Sequence, residues 1–580
     1  AVNKSKAMWD VINSKRNKNN YKNLDSDISP DVFNNYFNNI ANDILENVPD
    51  PKYDPIGLMC NNNNVCNNVT KYFRFTEVSE SCVRDVITNL KSSKSRDIYG
   101  FSMELIKNVK DVIITPLTKL INLCIQNKTF PKCLKTGIVI PVFKKGEIND
   151  KSNYRPISLL PVFSKILEKV LCIHLTKFFE DNKILVKNQF GFRKGCSTSD
   201  ALLSFIDQIS EVFESGNYCI ATYLDLTKAF DLVSHETLIR KLYVYNIHPD
   251  SCRIISSFLT ERFQRVSLKG TTSSDLPVSR GVPQGSVLGP LLFLIFFNDF
   301  PIELNENNVI LFADDTTIST TDKNCYEILT RNQRAISKAS DWLCSNGLAL
   351  NEGKSVNMLF SLKKSPNLAN LTLLPNIQTT TRFLGITIDD KLLWKEHGVI
   401  LAKQLSKNTF MLRSLANQVS QEVLKIAFSS LIQCFLRYGI LIWGHASCRH
   451  YLFSIQRRAI RIVAGLPYRA DCRPAFRELN ILTFPALFIY ECLLYIKQNI
   501  HIFDKFGDFH AYNTRTRDKL CLKSIRLTRT QTAHRYFGIK FYNCLPADIK
   551  NLNLVKFKKV VKQLLINDVY YDYDEYLNRH

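Results

Sequence analysis

The sequence predicts an α+β protein of several domains. Short β-branched stretches at 137–143, 218–224 and 309–318 are interspersed with long runs of helical periodicity, as at 31–48 and from about 396 to 462. No fixed-period repeat runs through the chain, which argues against a solenoid. With 580 residues and 45% hydrophobic content the chain can bury several cores. Its net charge of +23, from 76 Lys and Arg against 53 Asp and Glu, favours a polyanionic partner, a nucleic acid or an anionic membrane surface. No apolar run is long enough to span a bilayer, and the longest, 291–297, reads as a buried element. The 17 cysteines are odd in number and form no CxxC pair, so free thiols in a reducing compartment are expected. Cys434, His445, Cys448, His450 and Cys472 match no common structural zinc spacing, so no structural zinc is expected.

In chain order, residues 1–75 are rich in Asn and Lys and read as a linker holding one amphipathic helix, whose apolar residues include Val32, Phe33, Phe37, Ile40 and Ile44. No signal peptide opens the chain, and AVNKSKAMWD has no initiator Met, so a piece of a longer polyprotein is expected. Helices are expected from Glu77, at 102–108 and at 113–127, then a strand at 137–143 ending in Lys144 and Lys145. Pro156 and Pro161 keep the next segment extended, and Ser164 is expected to cap a long helix from Lys165. A basic Gly-bearing loop at 189–198 feeds another helix, and strand 218–224 ends at Asp225. Paired strands around 262–278 precede a Gly/Pro loop, 280–290, that opens a buried helix.

Residues 309–318 read as a hairpin with Asp314 and Asp315 at its tip. Taken alone, the acid pair fits an ordinary turn or a divalent-cation site, and Asp225 at a strand end fits a helix N-cap. Taken together, two strand-end carboxylates from sequence-distant strands can meet where the strands are neighbours, and carboxylates are the ligands that hold Mg²⁺ against its own hydration.

The motifs LDLTKAFD (224–231), FADD (312–315), RGVPQGSVLGP (280–290), NYRPISLL (153–160), QFGFRKGCST (189–198), NGLALNEGK (346–354) and FLGITID (383–389) together resemble the motif set of non-LTR retrotransposon reverse transcriptases, insect jockey-type elements above all. The resemblance runs from about residue 90 to the C-terminus and implies a right-hand polymerase: fingers, a palm with an antiparallel sheet, and a helical thumb. It implies that Asp225 and Asp314, with the Leu226 carbonyl, ligate two Mg²⁺ (or Mn²⁺) ions, and that Asp315 is a supporting acid. Phe230 would exclude a ribose 2′-OH, although core packing is the ordinary role of a lone Phe. Gly281, Pro283, Gln284 and Gly285 would meet the template and nascent base pair, or form a plain tight turn. Arg155, Lys144 and Lys145 would reach the nucleotide phosphates, although surface lysines are ordinarily just solvated, and Lys354, equally readable as a solvated lysine, would bind the nucleotide and protonate the departing pyrophosphate. Phe383, Leu384 and Gly385 would grip the primer terminus.

The expected divisions are 1–75, fingers with an N-terminal extension 76–217, palm 218–395, thumb 396–470, and a small basic nucleic-acid-binding domain 471–580. Arg457 and Arg461, one turn apart on an amphipathic helix, face either solvent or a duplex backbone. Basic residues interleaved with Tyr536, Phe537, Phe541 and Tyr542 suit single-stranded RNA, or a β-rich core with basic edges. The resemblance implies an RNA template, a DNA primer at a target site, dNTPs, and an endonuclease module of the same element that this sequence lacks. It also implies a cytoplasmic ribonucleoprotein acting in the nucleus, and no membrane role.

Overall fold

The computed structural model describes residues 27–61, 71–304, 307–363, 375–509 and 517–579. At its centre is a four-stranded antiparallel sheet in the order Val356–Phe360, Tyr218–Leu224, Asp315–Asp322, Asn308–Phe312. Strand Tyr218–Leu224 is buried on both faces because side chains alternate between two covering layers. Cys219 and Ala221 face the helix Thr198–Ser215 and the large core beyond it, whereas Tyr218 and Ile220 pack with Ile328 and Leu329 of the helix Cys325–Ser345. Thr222 on that second face hydrogen-bonds Asn357 at 2.6 Å and Asn332 at 3.3 Å, satisfying buried polar groups between sheet and helix.

A second sheet joins Thr136–Phe143 antiparallel to Tyr154–Leu159 and parallel to Arg262–Leu268, which in turn pairs with Thr271–Thr272 and Leu276–Val278. The amphipathic helix expected near the N-terminus spans Pro30–Leu45, with Pro30 in its first turn and the Ser29 hydroxyl accepting from the Val32 N–H. It lies on this second sheet. Phe33 is fully buried edge-on to Tyr154, and the buried Asn34 amide bonds the Ser274 carbonyl at 2.8 Å and Gln264 at 3.0 Å. The helix therefore belongs to the layer built on this second sheet, as do the strands between 262 and 278.

The helix expected from Lys165 begins earlier, at Val162. Ser164 does not cap it. The Asp97 carboxylate takes the Val162 N–H at 2.8 Å, and the Ser164 hydroxyl turns inward to Glu168. Sequence reasoning favoured the nearest local hydroxyl, but a side chain 65 residues upstream supplies the cap.

Helices Lys395–Ala416, Gln421–Phe428 and Arg449–Ala464 follow the sheet, joined by a π-turn at Ser429–Gln433. The C-terminal region is helical, in Phe484–Gln498, His534–Cys544, Leu554–Asp568 and Tyr573–Leu577, and it shares one hydrophobic core with those helices. Trp443 packs on Phe484, and the Tyr573 hydroxyl donates to the Gly444 carbonyl at 2.6 Å. A boundary at 470 therefore does not separate an independent unit. Phe541 and Tyr542 enter that core, so these two aromatics are packing residues. Arg535 pairs with Asp207 at 2.6 Å, tying the region to the helix Thr198–Ser215. Among the described residues no helix is long and apolar enough to cross a membrane.

Three histidines are shut into this helical half. Burial pushes His397 down to about 4 and His445 and His534 down to about 3, with His534 and Arg449 adding to the effect on His445 and Arg535 to that on His534. Each stays neutral in the folded chain while the unfolded chain takes up a proton below the ordinary 6.5. Their contribution is thus present above pH 6.5 and is lost as pH falls toward 3–4, by about 1.4 kcal/mol per pH unit per histidine. Thermal unfolding followed from pH 6.5 to 4.5 is expected to show a falling midpoint, and His445→Gln with His534→Gln to flatten that slope; a slope unchanged by the double substitution would contradict the assignment.

Candidate active site

The acid hairpin forms as its alternation predicts. Strands Asn308–Phe312 and Asp315–Asp322 meet at a turn of Ala313 and Asp314, Asp315 stands opposite Phe312, and Ala313 has φ +59°. Leu224 pairs with Thr316, and Thr316 with Leu311. This register brings the end of strand Tyr218–Leu224, and hence Asp225, to the same end of the sheet as the hairpin tip. Asp225 is fixed from behind. Its N–H donates to the Ser355 hydroxyl at 3.3 Å, its carbonyl accepts from the Asn351 N–H at 2.8 Å, and Leu226 pairs with Leu350.

The charges agree with this placement. Burial, and then the charge of Asp225, raise the Asp314 carboxyl above its ordinary value, while Arg155 and Lys144 oppose the rise. Desolvation and the charges of Asp314 and Asp225 push Asp315 up to about 6. Lys144 is held down by burial and by Arg155, Lys145 and Lys354, with Asp225 acting the other way. The expected acids and the expected phosphate-binding cations therefore share one electrostatic neighbourhood. Phe143 and Tyr154 close the strand pair whose tip carries Lys144 and Lys145, and Arg155 stands opposite Val142. Lys228, with φ +47°, belongs to the same group, its ammonium group held below its ordinary pKa by burial and by Lys144, Arg155 and Lys354, with Asp231 acting the other way.

Loop 280–290 is wedged between the two sheets. Gly281 (φ +80°) lies so close to the chain after Asp225 that a Cβ would stand 2.8 Å from the Asp231 Cα, and Gly285 (φ +118°) so close to strand Tyr154–Leu159 that a Cβ would stand 2.5 Å from the Ser158 carbonyl oxygen. Both positions require glycine. Gln284 is held within the protein. Its amide donates to both Asp231 carboxylate oxygens, at 2.9 and 3.0 Å, and its carbonyl accepts from the Ser158 N–H at 2.8 Å. Pro283 sits half-buried between these anchors. Phe230 stacks on Phe293 with ring centroids 4.3 Å apart, and Phe192 stands edge-on to it at 6.1 Å.

Hairpin Thr380–Phe383 and Ile386–Asp389 turns through Leu384 (φ +44°) and Gly385 (φ +85°), the signature of a type I′ turn. Phe383 is buried against Phe205 and Tyr223, and the Tyr438 hydroxyl donates to the Leu384 carbonyl at 2.5 Å.

Among the described residues no group of three or more His, Cys, Asp or Glu side chains is gathered tightly enough to hold a metal ion by itself. Asp225 and Asp314, coupled by charge beside a set of cations, instead suit a hard cation that takes its remaining oxygens from a phosphate ligand, the usual mode for Mg²⁺.

Residues 142–388 match the family model for reverse transcriptase (RNA-dependent DNA polymerase). They form a reverse-transcriptase domain. The chain is 29% identical over 417 residues to the probable RNA-directed DNA polymerase from transposon BS of Drosophila melanogaster, covering 69% of this chain and 46% of that protein. It is 28% identical to the RNA-directed DNA polymerase from mobile element jockey of Drosophila melanogaster, covering 69% of this chain and 45% of that protein. To that of transposon X-element it is likewise 28% identical, covering 70% and 46%. These relatives agree with the non-LTR resemblance of its motifs, and the chain spans about half the length of the curated relatives it matches. Reverse-transcriptase domains use divalent metal ions, a template, a primer and dNTPs.

Around the reverse-transcriptase domain two sequence expectations meet a different environment. The Arg457 guanidinium lies over the Phe453 and Tyr571 rings, and Arg461 Nε donates to the Ala470 carbonyl at 2.9 Å. Both are drawn inward because the chain after 465 folds back over that side of the helix. The exposed face of the helix Lys395–Ala416 instead presents Lys403, Lys407 and Arg413 beside Val399, Ile400 and Phe410.

The structure also adds residues to which sequence reasoning gave no role. Glu168, fully buried, takes the Val287 N–H at 2.6 Å, the Leu288 N–H at 3.2 Å and the Ser164 hydroxyl at 2.8 Å, and so anchors the end of loop 280–290 at the start of helix Gly289–Phe297. Burial raises its carboxyl, with the nearby Arg262 opposing. Its only sequence signal is one acid on an apolar helix face. Glu168→Ala would strand those N–H groups and is expected to cost about 3 kcal/mol; Glu168→Gln, which keeps an acceptor, should cost less. Urea unfolding of the two variants measures this order.

Proposed function

We propose that this chain is the RNA-directed DNA polymerase of a non-LTR retrotransposon, extending a DNA primer 3′-OH on an RNA template and releasing pyrophosphate. The observation that carries the reading is the meeting of Asp225 and Asp314, from sequence-distant strands, at one sheet end facing Arg155, Lys144 and Lys354. In the reaction the primer 3′-oxygen bonds to the α-phosphorus of the dNTP, the bond from that phosphorus to the bridging oxygen breaks, and the 3′-OH proton is released. Two Mg²⁺ ions (or Mn²⁺), held by Asp225, Asp314 and the Leu226 carbonyl, would neutralise charge on the attacking and leaving oxygens.

The chain's own residues do the rest. Arg155 binds the triphosphate through its guanidinium fork, with Lys144 and Lys145 beside it. Lys354 stands where a proton can be given to the departing pyrophosphate. Phe230, its ring fixed on Phe293, lies under the sugar and leaves no room for a 2′-OH. Loop residues Gly281, Pro283, Gln284 and Gly285 form the floor for the nascent pair, and Gln284 acts there by holding Asp231. Turn residues Phe383, Leu384 and Gly385 seat the primer end. The duplex leaves along Lys403, Lys407 and Arg413, each a point charge for a backbone phosphate. On this reading the template is the element's own transcript, the primer is a nicked chromosomal end, and an endonuclease module makes the nick. The ribonucleoprotein assembles in the cytoplasm and acts in the nucleus.

Primer extension on poly(rA) with oligo(dT), dTTP and Mg²⁺ tests the reading. Incorporation is expected, chelation with EDTA should abolish it, and Asp225→Asn or Asp314→Asn should lower kcat by about 10²–10³-fold or more. Silence of the wild-type protein, or full activity of Asp314→Asn, would sink it.

A further inference from the structure

The acid hairpin has a neighbour on its open side. Residues 188–191 run parallel to strand Asn308–Phe312, with Gln189 bridged to Leu311. The Leu311 N–H donates to the Asn188 carbonyl at 2.9 Å, the Phe190 N–H to the Leu311 carbonyl at 2.8 Å, and the Asn188 amide to the Val309 carbonyl at 2.8 Å. What would be a bare sheet edge is thus covered.

At the tip this pairing cannot continue. Ala313 adopts φ +59°, a left-handed conformation that an alanine does not hold unaided. Its N–H leaves the ladder, and one atom receives it. Gln189 Oε1 accepts from the Ala313 N–H at 3.0 Å and from the Gly191 N–H at 2.8 Å. Gln189 is 3% exposed, so no water stands in for that bond. Gly191 lies flush against the turn, where a Cβ would stand 2.3 Å from the Ala313 nitrogen. An unfavourable backbone conformation persists only where its surroundings over-determine it, and here Gln189 and Gly191 supply that determination. Ala313 is the residue before Asp314, and a rotation at Ala313 swings the Asp314 carboxylate.

We propose that Gln189 is a positioning residue of the polymerase site: it locks Ala313 in the left-handed turn and thereby fixes where Asp314 points. It touches neither substrate nor metal. The inference rests on the polymerase reading of Asp314 and deepens it.

The test is a split between kcat and binding. Gln189→Leu keeps the volume and removes the acceptor. Misplacement of a reacting group by about 1 Å costs on the order of 10²-fold, so kcat for dTTP on poly(rA)·oligo(dT) should fall by about 10–100-fold. KM for dTTP and Kd for primer–template should stay near the wild-type values, because neither depends on the turn. Gln189→Glu, whose buried carboxyl keeps an acceptor oxygen at the same reach, should recover most of kcat. Should Gln189→Leu lose its fold by circular dichroism, Gln189→Asn, which withdraws the amide by one methylene, takes its place with the same expected split. A kcat within about twofold of wild type, less than any such displacement would give, overturns the proposal. So does a loss shared equally by primer–template affinity, or a Gln189→Glu variant as impaired as Gln189→Leu. A wild-type protein that does not extend the primer refutes the polymerase reading itself, an outcome distinct from these.

Discussion

The site depends on one register. Leu224, Thr316 and Leu311 stand side by side across three antiparallel strands, and this alignment alone decides that Asp225 and Asp314 end at the same rim. A slip of one residue would turn every side chain of strand Tyr218–Leu224 to the opposite face. Such a slip is costly because both faces are committed. Cys219 and Ala221 belong to the core shared with the C-terminal helices, while Ile220 packs on the helix Cys325–Ser345 and Thr222 hydrogen-bonds Asn332 on that helix and Asn357 on the neighbouring strand. Fold stability and acid alignment are therefore the same constraint, expressed in one strand.

The second constraint is the closeness of the two sheets to each other. Loop 280–290 touches both, through Gly281 against Asp231 and Gly285 against Ser158, and neither contact leaves space for a side chain. Gln284 and Glu168 then fasten the loop from its two ends. Lys144 and Arg155 on one sheet come within electrostatic reach of Asp225 and Asp314 on the other because this wedge sets the separation between the sheets. The N-terminal helix stiffens the same assembly from outside, with Asn34 tying Gln264 and Ser274 together behind the strand that carries Arg262.

Much of this was legible in the sequence where the signal is local. The hairpin follows from its β-branched arms and the helix at Pro30–Leu45 from its periodicity. The acids and cations were legible because their motifs come in a fixed order. What failed was any inference about which distant segment covers a given face. The helix carrying Arg457 and Arg461 is amphipathic whether its polar side meets solvent or the returning C-terminal chain, and Tyr571 supplies that chain. Phe541 and Tyr542 sit among basic residues, yet helical spacing turns them into a core whose other half is Trp443, Phe484 and Phe488. Gln189 opens the motif 189–198, but its role there was hidden for the same reason. An isolated amide has no periodicity, and its partner is 124 residues away.

The charge distribution of the site points to what completes it. Like charges add to the effect of burial on both sides of one gap: after desolvation, Asp225 raises Asp314 and both raise Asp315, while Arg155, Lys145 and Lys354 add to the lowering of Lys144. A structural ion-pair network would relax this by direct pairing, as Lys241 and Asp299 do at 2.6 Å behind the palm. Across the gap no such pair joins Asp225 or Asp314 to Lys144, Arg155 or Lys354 within salt-bridge distance among the described residues, although their fields overlap. Each set is thus left with unspent attraction for the opposite charge from outside, the cations for a polyphosphate and the acids for divalent cations. A ligand bringing both together, as a metal-bound nucleoside triphosphate does, relieves the two repulsions at once. The pairing of Leu224, Thr316 and Leu311 and the wedge of loop 280–290 hold the two sets of like charge in this arrangement.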